Sequence, residues 1–523
     1  MKKKYVRWTL WTIASPFILF IILCILIYLP PIQNFLVDKA AVYASEATGM
    51  NISVGRISLS FPLNLVVTNV DAASPHNDTL LSVRRLQVNV QLLPLLKKQV
   101  EVDGISLQGA TVNSNDLIHG MKLNGTLGEL FISSHGVALD PETAIVNKVL
   151  LKDTDLSLCL NDTAAADTAA SDTTYWKIIL QDIDLQNVSF ALDMPLDSLS
   201  LAASLDNAIL RDGLIDLHKS AYSLQTFRIE NGRVRYDNGK PLAADSLSSG
   251  LDPSHIALTD IGVKLDSLYY GGRNMKAIIS QFVLKERSGV EIVSATGRMV
   301  SNDKVLRVPS LKLETRDSYL ELNAAMDWNA LDFKDEGLVS ARLMADIGKP
   351  DVVRFMGSMD EKFIRQYPSE PLRIRTGIDG DLNKLKLTTL TAELPGALGL
   401  FARGELTHLT DSLLRGGDIT LEAETKDLKF VSTLAEGIEI PYGTRLEGKF
   451  TMAGTKMGTD LLLMQPEAQA VVAADTIPIT VYNDSISVAD DFKMERAARL
   501  FAKYDLSRDR YEADLAVNHF DLH

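Results

Sequence analysis

Apolar and polar residues alternate regularly along most of this chain, and few folds accommodate that pattern. The clearest case is residues 86–92, where Leu86, Val88, Val90 and Leu92 alternate with glutamine and asparagine. A period of two places successive side chains on opposite faces of a β-strand. The same alternation recurs at residues 183–185, 188–192, 261–265, 311–313, 320–322 and 419–421. The sequence therefore predicts a mainly β protein.

Short turn sequences separate the alternating segments. Examples are Glu-Asn-Gly at residues 230–232, Asp-Asn-Gly at 237–239 and Arg-Gly-Gly at 415–417. Asn-Gly and Gly-Gly pairs favour the tight turns of β-hairpins, which join antiparallel strands. We therefore expect the strands to pair in antiparallel fashion.

An antiparallel sheet with one apolar face has to bury that face on something. Two sheets can pack as a sandwich, or one long sheet can curl until its apolar face lines a groove. Weak internal repetition at residues 105–112, 183–188 and 227–234 favours the second arrangement. We predict a long, curled antiparallel β-sheet with an apolar groove and a few short helices. The candidate groove residues are Leu86, Val88, Val90, Ile105, Leu107, Ile183 and Leu185.

Residues 8–29 form an apolar run without a charged residue. A helix of about 22 residues is roughly 33 Å long, enough to cross a bilayer core. A secretory signal peptide has a shorter apolar region and a small-residue cleavage site, which this run lacks. Basic residues before the run predict a cytoplasmic tail at residues 1–7, with the rest of the chain across the membrane. The candidate anchor residues are Trp8, Trp11, Phe17, Leu23 and Tyr28.

The sequence after the predicted anchor divides into segments that differ in residue pattern. Residues 30–49 predict a juxtamembrane helix, and residues 50–160 predict a first β module. Residues 161–174 are rich in Ala, Asp and Thr, which predicts a flexible loop. Residues 175–523 predict a repetitive β-groove region with helices near 351–367 and 490–504. These helices can cap a groove or simply pack on an ordinary sheet.

Charge and motifs exclude several classes of function. Lys and Arg total 53 against 67 Asp and Glu, a net charge of -14, which argues against nucleic-acid binding. With only two cysteines, the chain cannot hold a disulfide framework. It lacks a phosphate-binding loop, an HExxH pair, a CxxC pair and a GxSxG elbow. We expect no catalytic residue, no cofactor and no metal site, and hence no enzyme.

Three stretches after the apolar run carry a family resemblance. They are residues 47–63, residues 80–96 with Leu-Leu-Pro-Leu-Leu at 92–96, and residues 100–112 with Ile105-Ser-Leu107-Gln-Gly109. In this order they resemble the N-terminal region of TamB-type proteins in the AsmA-like superfamily. Members of that family are usually longer and end in a characteristic C-terminal domain. The resemblance therefore suggests either an N-terminal fragment or a short relative.

The resemblance implies a location and a role. It implies a single-pass inner-membrane protein of a double-membraned bacterium, with a cytoplasmic N-terminus and the bulk of the chain in the periplasm. It implies a curled β-sheet that carries phospholipid between the inner and outer membranes during outer-membrane biogenesis. Membrane phospholipids are then the main partners, and an outer-membrane β-barrel protein is a further candidate.

Two other functions remain open from the sequence. One is a scaffold or chaperone-like assembly factor for outer-membrane proteins, which would offer sheet edges to a nascent strand. The other is an envelope adhesin or polysaccharide-binding β protein. The apolar face discriminates among them, because an uncovered face favours lipids and a closed sandwich core with an open edge favours protein binding.

Overall fold

The computed structural model describes residues 39, 41–42, 45–46 and 49–518, except 61–63, 75–78, 92–101, 115–119, 139–141, 162–174, 240–249, 333–335, 357–360, 434–442, 467–479, 483–484 and 488–493. The predicted cytoplasmic tail, the anchor at residues 8–29 and almost all of the loop at 161–174 lie outside the described residues. Within the described part, no helix combines the length and the apolar character needed to cross a bilayer. Residues 39, 41–42 and 45–46 are helical, and the Gly49 amide donates to the Ser45 carbonyl oxygen at 2.9 Å.

The chain divides into two units, residues 1–240 and 241–523. The first unit is almost entirely β. Its strands are β1 (Asn51–Ser60), β2 (Asn64–Ala73), β3 (Thr79–Val90), β4 (Val102–Asn113), β5 (Met121–Ala138), β6 (Thr143–Leu160), β7 (Lys177–Met194), β8 (Leu199–Asp216), β9 (Ala221–Leu224) and β10 (Thr226–Asp237). From β1 to β8 each strand pairs with the next, and β8 also pairs with β10.

One pair departs from the antiparallel prediction. Strands β6 and β7 are parallel, with Thr143 opposite Lys177 and Cys159 opposite Asp193. Residues 161–176 connect them, which is far longer than a hairpin loop. Such a connection lets the chain return to the starting end of β6 before β7 begins, as parallel pairing requires. The Ala/Asp/Thr-rich segment thus separates the parallel pair, whereas the described connections at residues 195–198 and 217–220 join antiparallel neighbours with four residues each.

Interruptions of the backbone pairing lie at matching positions on neighbouring strands of the first unit and form a line across the sheet. Asn69, Gly109, Asp153, Asn187 and Asn231 have positive φ angles, and the cross-strand register skips these positions. Gly, Asn and Asp tolerate the left-handed region best, which suits them to these positions. The pairing keeps the same register on both sides of this line, so no strand gains a residue there relative to its neighbour. Across this line the apolar positions of β3 change from Leu81 and Val83 to Leu86 and Val88, that is, from odd to even numbers.

The second unit is also mainly β. Its strands are β11 (His255–Gly271), β12 (Asn274–Glu286), β13 (Glu291–Ser301), β14 (Val305–Thr315), β15 (Tyr319–Asp327), β16 (Leu338–Ile347), β17 (Leu372–Asp381), β18 (Lys384–Leu394), β19 (Leu398–Thr407), β20 (Gly416–Thr425), β21 (Arg445–Ala453), β22 (Lys456–Pro466), β23 (Thr480–Tyr482), β24 (Ser485–Ser487), β25 (Met494–Asp505) and β26 (Arg510–Val517). Strands β11 to β22 pair successively and antiparallel, and β22 continues to β25 and β26. Strands β23 and β24 form a separate hairpin.

Short helices interrupt the second unit. They are α1 (Trp328–Leu331), α2 (Lys349–Met356) and α3 (Glu361–Gln366), with a 3-10 helix at Lys429–Thr433. The segment predicted as helical near 351–367 contains α2 and α3. The helix predicted at 490–504 is wrong, because residues 494–505 form strand β25. Pairing with β22 on one side and β26 on the other supplies the backbone hydrogen bonds and overrides helix propensity.

Two small clusters of buried side chains lie at opposite ends of strand β18. At the end near Leu394, α3 and the 3-10 helix pack on the turn before β19. That cluster contains Phe363, Tyr367, Leu394, Ala397, Leu428 and Phe430. At the other end, α1 packs on the β17–β18 turn with Ala330, Val339 and Leu382. The helices therefore bury the ends of the strands, and within the described residues of the first unit no such cluster forms.

Candidate functional site

Two rows of facing apolar side chains cross the sheet of the first unit from β1 to β8 and on to β10. We name them row A and row B. Row A consists of Leu59, Leu65, Val88, Ile105, Ile132, Val149, Ile183, Leu210 and Phe227. Row B consists of Ile57, Val67, Leu86, Leu107, Leu130, Leu151, Leu185, Ala208 and Ile229. The two rows are two residues apart on every strand and share one face of the sheet.

The rows bring together most of the site residues predicted from the sequence. Row A contains Val88, Ile105 and Ile183, and row B contains Leu86, Leu107 and Leu185. The remaining candidate, Val90, lies outside both rows and pairs with Val102 at the end of β3. The predicted anchor residues Trp8, Trp11, Phe17, Leu23 and Tyr28 lie outside the described part of the chain.

Sequence reasoning missed the members of the rows on β1, β2, β5, β6, β8 and β10. Their signal was weak on β5 and β6, because apolar Phe131 separates Leu130 from Ile132 and apolar Leu150 lies next to Val149. What alternation alone could not supply is the register. Only the pairing of β5 with β4 and β6 joins these residues to Ile105 and Ile183 in continuous rows.

The apolar rows are not covered like a protein core. None of the seven predicted groove residues is fully buried, and Ile105 is 36% exposed. Side chains in a packed core are almost fully inaccessible, as Phe363 is in the second unit at 1%. Within the residues described, the first unit therefore presents a partly exposed apolar sheet face, and the sandwich arrangement is not found there.

The opposite face of the same sheet carries a continuous polar row. One row there consists of Arg56, Thr68, Arg85, Gln108, Glu129, Lys152, Gln186, Asn207 and Glu230. Neighbouring members of this row bond to each other, as Asn207 Nδ2 does when it donates to Glu230 Oε2 at 3.3 Å. Charged groups are thus confined to this face at the level of rows A and B, although Val66, Phe131, Leu150 and Ile209 also lie on it.

A comparable apolar row crosses the second unit. It runs from β11 through β22 to β25 and β26, within that unit alone. Its members are Val263, Phe282, Ala295, Leu313, Leu320, Ala345, Ile374, Ala392, Leu400, Ala423, Leu446, Leu463, Ala498 and Val517. Alanine is frequent in this row, so its side chains project less than those of rows A and B.

Buried titratable groups lie away from these rows and serve local structure. Asp351 is buried at the start of α2, where it accepts a hydrogen bond from Ser318 Oγ at 2.6 Å and pairs with Arg354 at 3.0 Å. Burial raises the pKa of Glu424, an effect that Arg445 and Lys426 oppose. The hydrogen bond from His255 lowers the pKa of Asp252. Among the described residues, no group of three or more His, Cys, Asp or Glu is placed to hold a metal ion.

Comparison with known proteins gives no family assignment. No protein-family model matches the chain, and no curated protein matches it significantly. The physical character of the apolar face therefore carries the functional argument.

Proposed function

We propose that this protein carries phospholipid along the apolar face of its sheet. In this proposal residues 8–29 anchor the chain in the inner membrane of a double-membraned bacterium. The remainder lies in the periplasm, where it passes lipid between the inner and outer membranes during outer-membrane biogenesis. The observation that supports this most directly is the partial exposure of rows A and B, unbroken by any charged or polar side chain.

The energetics of such a face suit acyl chains. Each methylene group removed from water is stabilised by about 0.8 kcal/mol, whichever part of the face it contacts. Because the rows are similar from strand to strand, a bound chain meets no strongly preferred position along them. Headgroups remain in water beside the sheet. Movement along the face is then passive and needs no catalytic residue.

Aspartate substitutions test the face with matched controls. Val88→Asp and Leu185→Asp place a charge in rows A and B, and burying that charge against acyl chains is costly. We expect lipid co-purifying with residues 50–523 to fall about tenfold or more. Gln87→Asp and Gln186→Asp alter adjacent residues on the opposite face and should retain the wild-type lipid content. Equal lipid content in folded versions of all four variants would contradict the proposal.

A second candidate function is a scaffold or chaperone-like assembly factor for outer-membrane proteins. Strand β26 favours it, since every residue of the strand is exposed and its only partner among the described strands is β25. An exposed edge can accept a further strand through main-chain hydrogen bonds. Saturable binding of an outer-membrane strand peptide by folded, lipid-free protein would support this role over lipid transfer.

A further inference from the structure

Three neighbouring turns of the second unit are joined by hydrogen bonds into what we name the turn cluster. It comprises residues 408–415 between β19 and β20, residues 454–455 between β21 and β22, and residues 506–509 between β25 and β26. The Gly454 amide donates to the Arg415 carbonyl at 2.6 Å, and Arg415 Nε donates to the Gly454 carbonyl at 2.8 Å. The Leu506 amide donates to the Thr455 carbonyl at 2.9 Å. The cluster is therefore an ordered surface.

Large aliphatic side chains project from the turn cluster into solvent. Leu413 is 77% exposed, Leu414 is 64% exposed and Leu506 is 42% exposed. The backbone of Leu413 and Leu414 is fixed, because Asp411 Oδ1 accepts hydrogen bonds from their amides at 2.8 and 3.2 Å. Because the Asp411 side chain alone accepts these hydrogen bonds, the turn does not require leucine at positions 413 and 414. Grouped exposed aliphatic residues are typical of a binding surface.

A cleft with a small excess of basic residues, which we name the cationic cleft, lies beside Leu506 at the ends of β21, β22, β25 and β26. It has a volume of about 400 Å³, and Lys456, Lys503 and Arg510 line it together with the acidic residues Asp505 and Glu512. Asp505 is engaged within its own turn, where its carboxylate accepts hydrogen bonds from the amide and hydroxyl of Ser507 at 3.0 and 2.6 Å. Glu512 faces Lys503 in the β25–β26 register, so Lys456 and Arg510 are the donors that the cleft offers to an anionic group.

We propose that the turn cluster docks on the surface of an anionic phospholipid membrane. Exposed leucines reach the boundary between headgroups and acyl chains, while the cations beside them pair with lipid phosphates. The combination of aliphatic tips and an adjoining basic cleft favours a lipid surface over a second copy of this chain. The proposal goes beyond lipid carriage, because docking requires only the turn cluster and the cleft.

A fluorophore attached at the turn cluster tests the proposal locally. The full chain carries Cys24→Ser and Cys159→Ser, and Leu413→Cys is labelled with an environment-sensitive nitrobenzoxadiazole dye. The protein is held in phosphatidylcholine nanodiscs and mixed with vesicles containing phosphatidylglycerol. We expect the emission to shift to shorter wavelength on mixing. The same dye at Asp303→Cys, in the β13–β14 turn, should not respond.

Variants separate the aliphatic and cationic contributions. With the dye at Ser412→Cys, replacing Leu413 and Leu414 by serine should weaken vesicle binding about tenfold, because less apolar surface enters the membrane. Lys456→Gln with Arg510→Gln should also weaken it about tenfold and reduce its sensitivity to salt. These residues are exposed, so unchanged thermal unfolding serves as the folding control. Val88→Asp should leave docking intact, so failure of lipid carriage and failure of docking are distinguishable.

Several results would overturn the proposal. No spectral shift at position 413 would exclude contact with the membrane, and an equal shift at position 303 would show unspecific adsorption. Equal binding to pure phosphatidylcholine vesicles would show that the cationic cleft does not contribute to docking. A shift that depends on protein concentration without vesicles would assign the surface to self-association.

Discussion

At the scale of single residues, the account depends on how far aliphatic side chains are covered. Ile105 keeps 36% of its surface accessible within row A, whereas Phe363 keeps 1% in the cluster formed by α3 and the 3-10 helix. Phe363 also contacts the rings of Tyr367 and Phe430, with centroids 5.5 and 5.8 Å away. Ile105 therefore lies on a partly exposed sheet face and Phe363 in a packed core.

Alanine substitution distinguishes these two environments. Ile105→Ala should lower the free energy of unfolding by about 1 kcal/mol, because little packing is lost from a partly exposed site. Phe363→Ala should lower it by about 3–5 kcal/mol, because it leaves a cavity among buried rings. Denaturant unfolding of the two variants measures the difference. A cost at Ile105 as large as that at Phe363 would mean that row A is a closed core.

The residue pattern predicted which side chains of one strand share a face, but not which side chains of neighbouring strands lie opposite each other. The alternation at residues 86–92 correctly marked Leu86 and Val88 as neighbours on one side of β3. Their partners Leu107 and Ile105 follow from the β3–β4 register, which depends on turn geometry and packing across strands. The positive φ angles at Asn69 and Asp153 also interrupt the strands, and a strict period of two does not include such interruptions.

At the scale of elements, β25 illustrates a local pattern overridden by pairing. Its Ala, Arg, Lys and Leu residues favour a helix in isolation, and the sequence predicts one at 490–504. The structure instead aligns Leu500 with Leu461 of β22 and Leu515 of β26. Ala498, Leu500 and Ala502 then lie on the same face, so the segment has the period of two of a strand although its composition favours a helix.

Acid stability tests an ion pair between β22 and β25. Arg499 Nε donates to Asp460 Oδ1 at 2.9 Å, and this hydrogen bonding lowers the pKa of Asp460 below its usual 3.8. A carboxylate with a lowered folded-state pKa contributes stability above its unfolded pKa and loses it as pH falls. Asp460→Asn should therefore unfold at a lower temperature than wild type near pH 7, and this difference should vanish on acidification.

Removing the partner should have the same effect. Arg499→Gln eliminates the cause of the pKa shift, so its melting temperature should also approach that of wild type at acid pH. The double variant should show little further loss at neutral pH, since both changes remove one interaction. A difference from wild type that stays constant with pH would contradict the role assigned to this pair.

At the scale of the whole molecule, each unit repeats one simple arrangement. Successive strands extend an apolar row on one face, and short helices in the second unit bury strand ends around Leu394 and Ala330. The sequence predicted the β class, the alternating faces and a helical segment near 351–367. It could not predict the parallel β6–β7 pair, because composition marks residues 161–174 as a loop without giving the direction in which the chain returns.

The lipid content of the protein tests the central claim most directly. Residues 50–523, which contain every described strand, are expressed in the periplasm, purified and washed free of detergent. Mass spectrometry then counts the phospholipids that remain bound per chain. The account predicts several phospholipids per chain, because the apolar rows cross many strands and offer room for more than one. A folded protein that carries no lipid would contradict it and favour a protein-binding scaffold.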